Sequence, residues 1–245
     1  MYAGSEQTPQ RHLTPCPTCS LELALTTRIV SPVNTLGRLL GLVGLIGIVL
    51  AAYQTATEPF TSWPAFDTPA KTLLAEFSFF TMWSNIVGTI YLLRAGRTPR
   101  WFTVDAVAML VVTGVVYNTL LGGELHGLWT ISSPIQHTFM PIAVPLYWLL
   151  TIRGRPTFRL SSIIGALGIP VVWSVLTFYR GATTGWYPYF FINVTDLGLP
   201  IALRNMAGVY LGFFILAIVL GFIERLILWL KRNSKTAATI AASSL

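Results

Sequence analysis

This sequence is poor in charge. Only 10% of its 245 residues are Asp, Glu, Lys or Arg, while 53% are hydrophobic; soluble domains carry about 25% charged residues, so an ordinary soluble globule is excluded. Cysteine is scarce too, with two in the chain, Cys16 and Cys19. Their C-x2-C spacing offers half a zinc site and His12 at most one further ligand, so no metal or cofactor is expected. No long apolar run precedes Leu36, which argues against a signal peptide. The hydrophobic runs lack the alternating polar positions of membrane barrel strands. An internal repeat with paired broken helices, as in many transporters, is also missing.

What is present is a series of long apolar runs at 36–56, 73–93, 101–121, 134–152, 160–179 and 206–230. Each is long enough to cross a bilayer. The expectation is an all-α polytopic membrane protein: a single bundle of six transmembrane helices over 36–230, between disordered polar tails at 1–35 and 231–245. Of its 16 basic residues, Arg11, Arg28, Arg38, Arg94, Arg97, Arg100, Arg153, Arg155, Arg159, Arg225, Lys231, Arg232 and Lys235 then fall on one side, and only Lys71, Arg180 and Arg204 on the other. The positive-inside rule places both termini in the cytoplasm. The net charge of +7 reflects this topology and contact with anionic lipids, since the basic triplets carry no nucleic-acid recognition motif. Membrane lipids are the expected partners; protein partners are not legible.

The fourth run, PIQHTFMPIAVPLYWLLTI, holds the only membrane-depth histidine, His137. An ionisable group inside a span is costly and by default faces the bundle interior. Pro141 and Pro145 follow at intervals of four; each lacks an N–H, so the carbonyls of His137 and Pro141 lose their helical donors and a bend is expected. The second run, LLAEFSFFTMWSNIVGTIYLL, sets Phe77, Thr81, Ser84, Asn85 and Gly88 on one helical face. Asn85 has an amide to satisfy in hydrocarbon. The third run ends with Tyr117 and Asn118, followed by a loop with Glu124, and begins with Asp105, which is expected at the interface. In the first run Gly37, Gly41, Gly44 and Gly47 share a face suited to close helix approach.

Thr81, Asn85, Asn118 and His137 all fall in the outer half of such a bundle. Counted from the span ends, Thr81 lies roughly 12 Å deep and His137 roughly 4 to 5 Å. Over this region runs a long aromatic connection, RGATTGWYPYFFINVTDLGLPIALRN at 180–205. Trp186, Tyr187, Tyr189 and Phe190 suit the membrane interface, and the segment reads as a cover over the second and fourth helices.

The motifs FSFFTMWSN, QHTFMP and RGATTGWYPYFFINV, in this order across six runs, resemble the bacterial six-pass integral membrane family related to the androgen-induced and androgen-dependent TFPI-regulating proteins. The eukaryotic relatives are threonine hydrolases that cleave fatty acid esters of hydroxy fatty acids. By motif position the resemblance implies Thr81 as nucleophile and His137 as base, in a multi-pass protein of a bacterial plasma membrane. This chain has Tyr147 and Asn193 where many bacterial relatives have aspartates.

The chemistry has its own logic. A threonine hydroxyl needs a base to take its proton, so Thr81 and His137 should lie within hydrogen-bond reach and face one cavity. A third group should fix the imidazole tautomer; Asn118, Asn193, Glu124 or a carbonyl freed by Pro141 or Pro145 are the options. Asn85 is a candidate donor to an oxyanion. The expected activity is intramembrane hydrolysis of a carboxylic ester of an apolar acyl chain. The alternatives are a non-catalytic membrane regulator or scaffold of the same fold, and a small transporter.

Overall fold

The computed structural model describes residues 17–58, 63–152, 154 and 156–243, and no strand occurs among them. A long α1 (Pro17–Thr57) leads to short α2 (Pro69–Glu76) and then α3 (Phe80–Leu93). Next, α4 (Arg100–Val116) ends in a π-helical turn, Tyr117–Leu121. The run of α5 (Trp129–Pro134), a second π-helical turn (Ile135–Phe139) and α6 (Met140–Thr151) is continuous. After α7 (Leu160–Ala166), α8 (Gly168–Thr184) and α9 (Val194–Leu197), the chain closes with α10 (Leu199–Ser243).

Four described helices are long and apolar enough to cross a bilayer: Pro32–Thr57, Arg100–Leu121, Leu160–Thr184 and Leu199–Ser234. The α2 and α3 pair makes a fifth if taken as one span. Residues 129–151, which carry His137, are not among these; Ser132, Ser133, Gln136, His137 and Thr138 dilute the first half of that helix. At the ends, α1 starts at Pro17 and α10 continues to Ser243, where the sequence suggested disordered tails. The last turns are rich in Lys and Ala, which are strong helix formers. Residues 1–16, with Cys16, lie outside the described residues.

The apolar stripes decide the packing. Helix α1 lies against α3, α5 and α2; α3 lies against α4; and α4 lies against α6 and α7. A Cβ on Gly41 would sit 2.9 Å from the backbone nitrogen of Leu93, so only glycine allows that approach of α1 to α3. The core is filled by Tyr91, Met109, Leu110, Met140, Tyr147 and Phe158. Asp105 is fully buried rather than interfacial, because α3, α6 and α7 cover α4 along its length. Leu39, Leu42, Ile46, Val49, Ile142, Leu146, Leu150, Phe222 and Trp229 point outward. An apolar outer surface of this extent is what a lipid-embedded bundle requires.

The fold's main irregularity is the 75° bend between α2 and α3. A helix broken within a bundle strands carbonyls that need other donors. Here Trp83 Nε1 donates to the Phe77 carbonyl at 2.9 Å and Trp173 Nε1 to that of Ser78 at 2.8 Å. The Arg180 guanidinium donates to the Leu74 carbonyl. With the break satisfied from α3 and α8, a new helix begins at Phe80 and carries Thr81 in its first turn.

Candidate active site

Thr81 at the head of α3 and His137 in the second π-helical turn meet: Thr81 Oγ1 lies 3.2 Å from His137 Nε2. The difference in depth counted from the span ends vanishes for two reasons. The second run breaks just before Thr81, and the fourth helix starts at Trp129, a full turn earlier than its apolar run.

The other imidazole nitrogen decides what this contact can do. His137 Nδ1 lies 3.0 Å from the Ser133 carbonyl oxygen and 3.0 Å from Ser133 Oγ. A carbonyl oxygen can only accept, so the bond requires the proton on Nδ1. Nε2 then presents its lone pair to the Thr81 hydroxyl, the arrangement a general base needs. The Tyr117 ring stacks on the imidazole with centroids 3.5 Å apart and planes 11° apart. Its hydroxyl lies 2.9 Å from Ser133 Oγ. Ser133 and Tyr117 therefore hold the ring in place and in tautomer; neither role was anticipated from sequence. Ser133 is four residues before His137 on the same helical face, which was the available signal.

Proline chemistry supplies the next layer. Because Pro141 has no N–H, the His137 carbonyl is free, and Asn118 Nδ2 donates to it at 3.0 Å while also donating to the Gly114 carbonyl at 2.8 Å. Asn118 thus ties the two π-helical turns together and does not touch the imidazole. Single π turns inside α-helices recur at functional sites. Gly114 permits the approach, since a Cβ there would lie 2.7 Å from Pro141 Cβ. Gly114→Val is expected to cost about 1–3 kcal/mol through overpacking. The readout is a lowered Tm in detergent; an unchanged Tm would mean the two helices are not held this closely.

Asn85 acts structurally. Its Nδ2 donates to the Thr81 carbonyl at 2.9 Å and to the Gln136 carbonyl at 3.1 Å, so both amide protons are used and the expected oxyanion donor is spent on joining α3 to the π turn. Ser84 Oγ also donates to the Thr81 carbonyl, at 2.9 Å. Glu124 is exposed in the loop after Leu121. Asn193 caps α9, accepting from the Thr195 amide and donating to Asp196. Tyr147 is buried against Tyr91, ring centroids 6.0 Å apart, and lies ten residues from His137, about 15 Å along the helix. These three stand outside the network.

The aromatic connection is shorter than its composition suggested, because α8 runs to Thr184 and α10 starts at Leu199. Trp186 packs edge-on against Phe66 and Phe79, with centroids 5.0 and 5.8 Å away. Tyr189 is buried against Phe79, Trp173 and Phe191. Tyr187 turns to Phe178, and Phe190 is exposed. The segment covers the break between α2 and α3.

Beneath it lies a small, largely apolar cavity of about 50 Å³. Phe80, Val112, Trp173, Tyr189, Phe191 and Phe213 contribute to its wall, and Thr81 and Tyr117 reach it from the pair's side. The imidazole does not line it. Of the two residues expected to face one cavity, Thr81 lines it and His137 does not. No protein-family model, characterised protein or solved structure matches this chain.

Proposed function

We propose that the chain is a six-pass, intramembrane ester hydrolase of a bacterial plasma membrane, with both termini cytoplasmic and Thr81 as nucleophile. The observation that carries this reading is the 3.2 Å contact from Thr81 Oγ1 to His137 Nε2, with Nδ1 committed to the Ser133 carbonyl. Structural threonines in membrane helices bond back to the carbonyl four residues earlier; this one is aimed at an imidazole whose free lone pair faces it. The largely apolar lining beside Thr81, with Phe80, Val112, Trp173 and Phe213, suits a hydrocarbon acyl chain drawn from membrane lipid. The family resemblance at FSFFTMWSN and QHTFMP points to the same pair.

In the reaction, Thr81 Oγ attacks the ester carbonyl carbon as its proton passes to His137 Nε2. The carbonyl π electrons move to oxygen. Collapse of the tetrahedral species expels the alcohol oxygen, which takes the proton from Nε2 and leaves the acyl group on Thr81. Water, deprotonated by the same nitrogen, then releases the carboxylic acid and restores the hydroxyl. The direct test is hydrolysis of fatty acyl esters by the purified protein and by Thr81→Ala. A non-catalytic regulator of the same fold is the second reading, favoured by Tyr147 and Asn193 at the two positions where many of the bacterial proteins it resembles have aspartates. It predicts no hydrolysis by either protein.

The topology has a separate test. Thr183 is exposed near the outer end of α8, so a cysteine placed there should react with an impermeant thiol reagent in intact cells. Reaction of a cysteine at Ser234 in its place would reverse the orientation.

A further inference from the structure

Ester hydrolysis passes through an oxyanion, and the pair described above contains no donor for it. Both amide protons of Asn85 are engaged elsewhere. Among the polar residues of the cavity wall, Thr113 is paired with Ser84, Tyr117 with Ser133 and Ser174 with Tyr210, which leaves Tyr189. Its hydroxyl oxygen accepts the Phe80 amide at 2.9 Å, which places the phenol on the residue next to the nucleophile. Tyr189 and Thr81 line the same cavity. A phenol has one proton to give, and here a backbone N–H already occupies a lone pair of its oxygen. Accepting that bond polarises the O–H, as in any hydrogen-bond chain.

We propose that Tyr189 is a further catalytic residue, donating its phenolic proton in a hydrogen bond to the oxyanion formed when Thr81 attacks the ester. This rests on the hydrolase reading. Packing holds the ring in position, stacked on Phe191 at 5.3 Å and 11° and edge-on to Phe79 at 5.6 Å. A preorganised donor of this kind costs no reorganisation at the moment of reaction. Burial pushes the Tyr189 hydroxyl up to about 12, so the proton stays on oxygen throughout the working range. The aromatic connection thereby supplies part of the chemistry as well as the roof of the cavity.

The experiment uses full-length protein in detergent with p-nitrophenyl decanoate as probe, comparing wild type, Thr81→Ala and Tyr189→Phe. Tyr189→Phe keeps the ring and its packing. Its kcat should fall about 10²-fold to 10³-fold, the effect of deleting one oxyanion donor, with KM within threefold. Its affinity for a trifluoromethyl ketone inhibitor, which forms the same oxyanion, should fall in parallel. A Tyr189→Phe protein as fast as wild type, or faster, beside an inactive Thr81→Ala would overturn the donor role and leave the hydrolase standing. A Thr81→Ala protein that retains wild-type hydrolysis, or a wild type with none, would overturn the hydrolase and the donor together. If Tyr189→Phe does not fold, 3,5-difluorotyrosine placed at position 189 replaces it. A more acidic donor must tighten ketone binding, and unchanged binding counts against the role.

Discussion

Thr81→Ala and His137→Ala are each expected to reduce ester hydrolysis about 10³-fold or more, and the double variant should be scarcely worse than either. General-base assistance alone is worth about 10²- to 10⁴-fold, and groups that act as a unit lose their effect together. The fold should tolerate both changes. The carbonyl of Thr81, which holds Ser84 and Asn85, is untouched by loss of the hydroxyl. Near-additive losses in the double variant would mean that the two side chains act independently and that the 3.2 Å contact is not a nucleophile and its base.

The second large effect is on stability and falls at the opposite end of the bundle. Glu224 of α10 is buried, and its carboxyl group accepts the Thr157 amide at 2.8 Å and the Phe158 amide at 2.9 Å. It closes the connection between α6 and α7 where no helix satisfies those amides. Glu224→Ala leaves both without a partner; at about 1–3 kcal/mol for each unsatisfied buried group, the expected loss is about 2–6 kcal/mol. Glu224→Gln keeps one accepting oxygen and should lose less. Glu224 is eleven residues from Phe213 of the cavity wall, about 16 Å along α10, so activity per folded molecule should not change. A Glu224→Ala protein that melts with wild type would show that those amides are satisfied in another way.

Much of the bundle was legible because bilayer thickness imposes run lengths that few other constraints produce. The break before Thr81 was not, since FSFF contains neither proline nor glycine. It exists because Trp83, Trp173 and Arg180 supply donors to stranded carbonyls, and those partners are tertiary. Thr81 and His137 were legible as polar groups that hydrocarbon would not otherwise tolerate. Their support was less so: the tautomer is fixed by a backbone carbonyl, that of Ser133, and side-chain patterns do not name carbonyls. Asn118 shows the intermediate case. Pro141 marked the His137 carbonyl as free and Asn118 was an option for fixing the imidazole, but only the fold shows that its amide bonds that carbonyl instead. Asp105 misled because proximity to a span's end says nothing about which neighbours cover it.

On the hydrolase proposal, Thr81 becomes covalently acylated with His137 as its base. Incubation of the purified protein with a fluorophosphonate probe, followed by peptide mass spectrometry, tests it most directly. A single adduct is expected on Thr81 in wild type and none in His137→Ala. Persistent hydrolysis with Thr81 unmodified, or an adduct on another residue that abolishes activity, would contradict it.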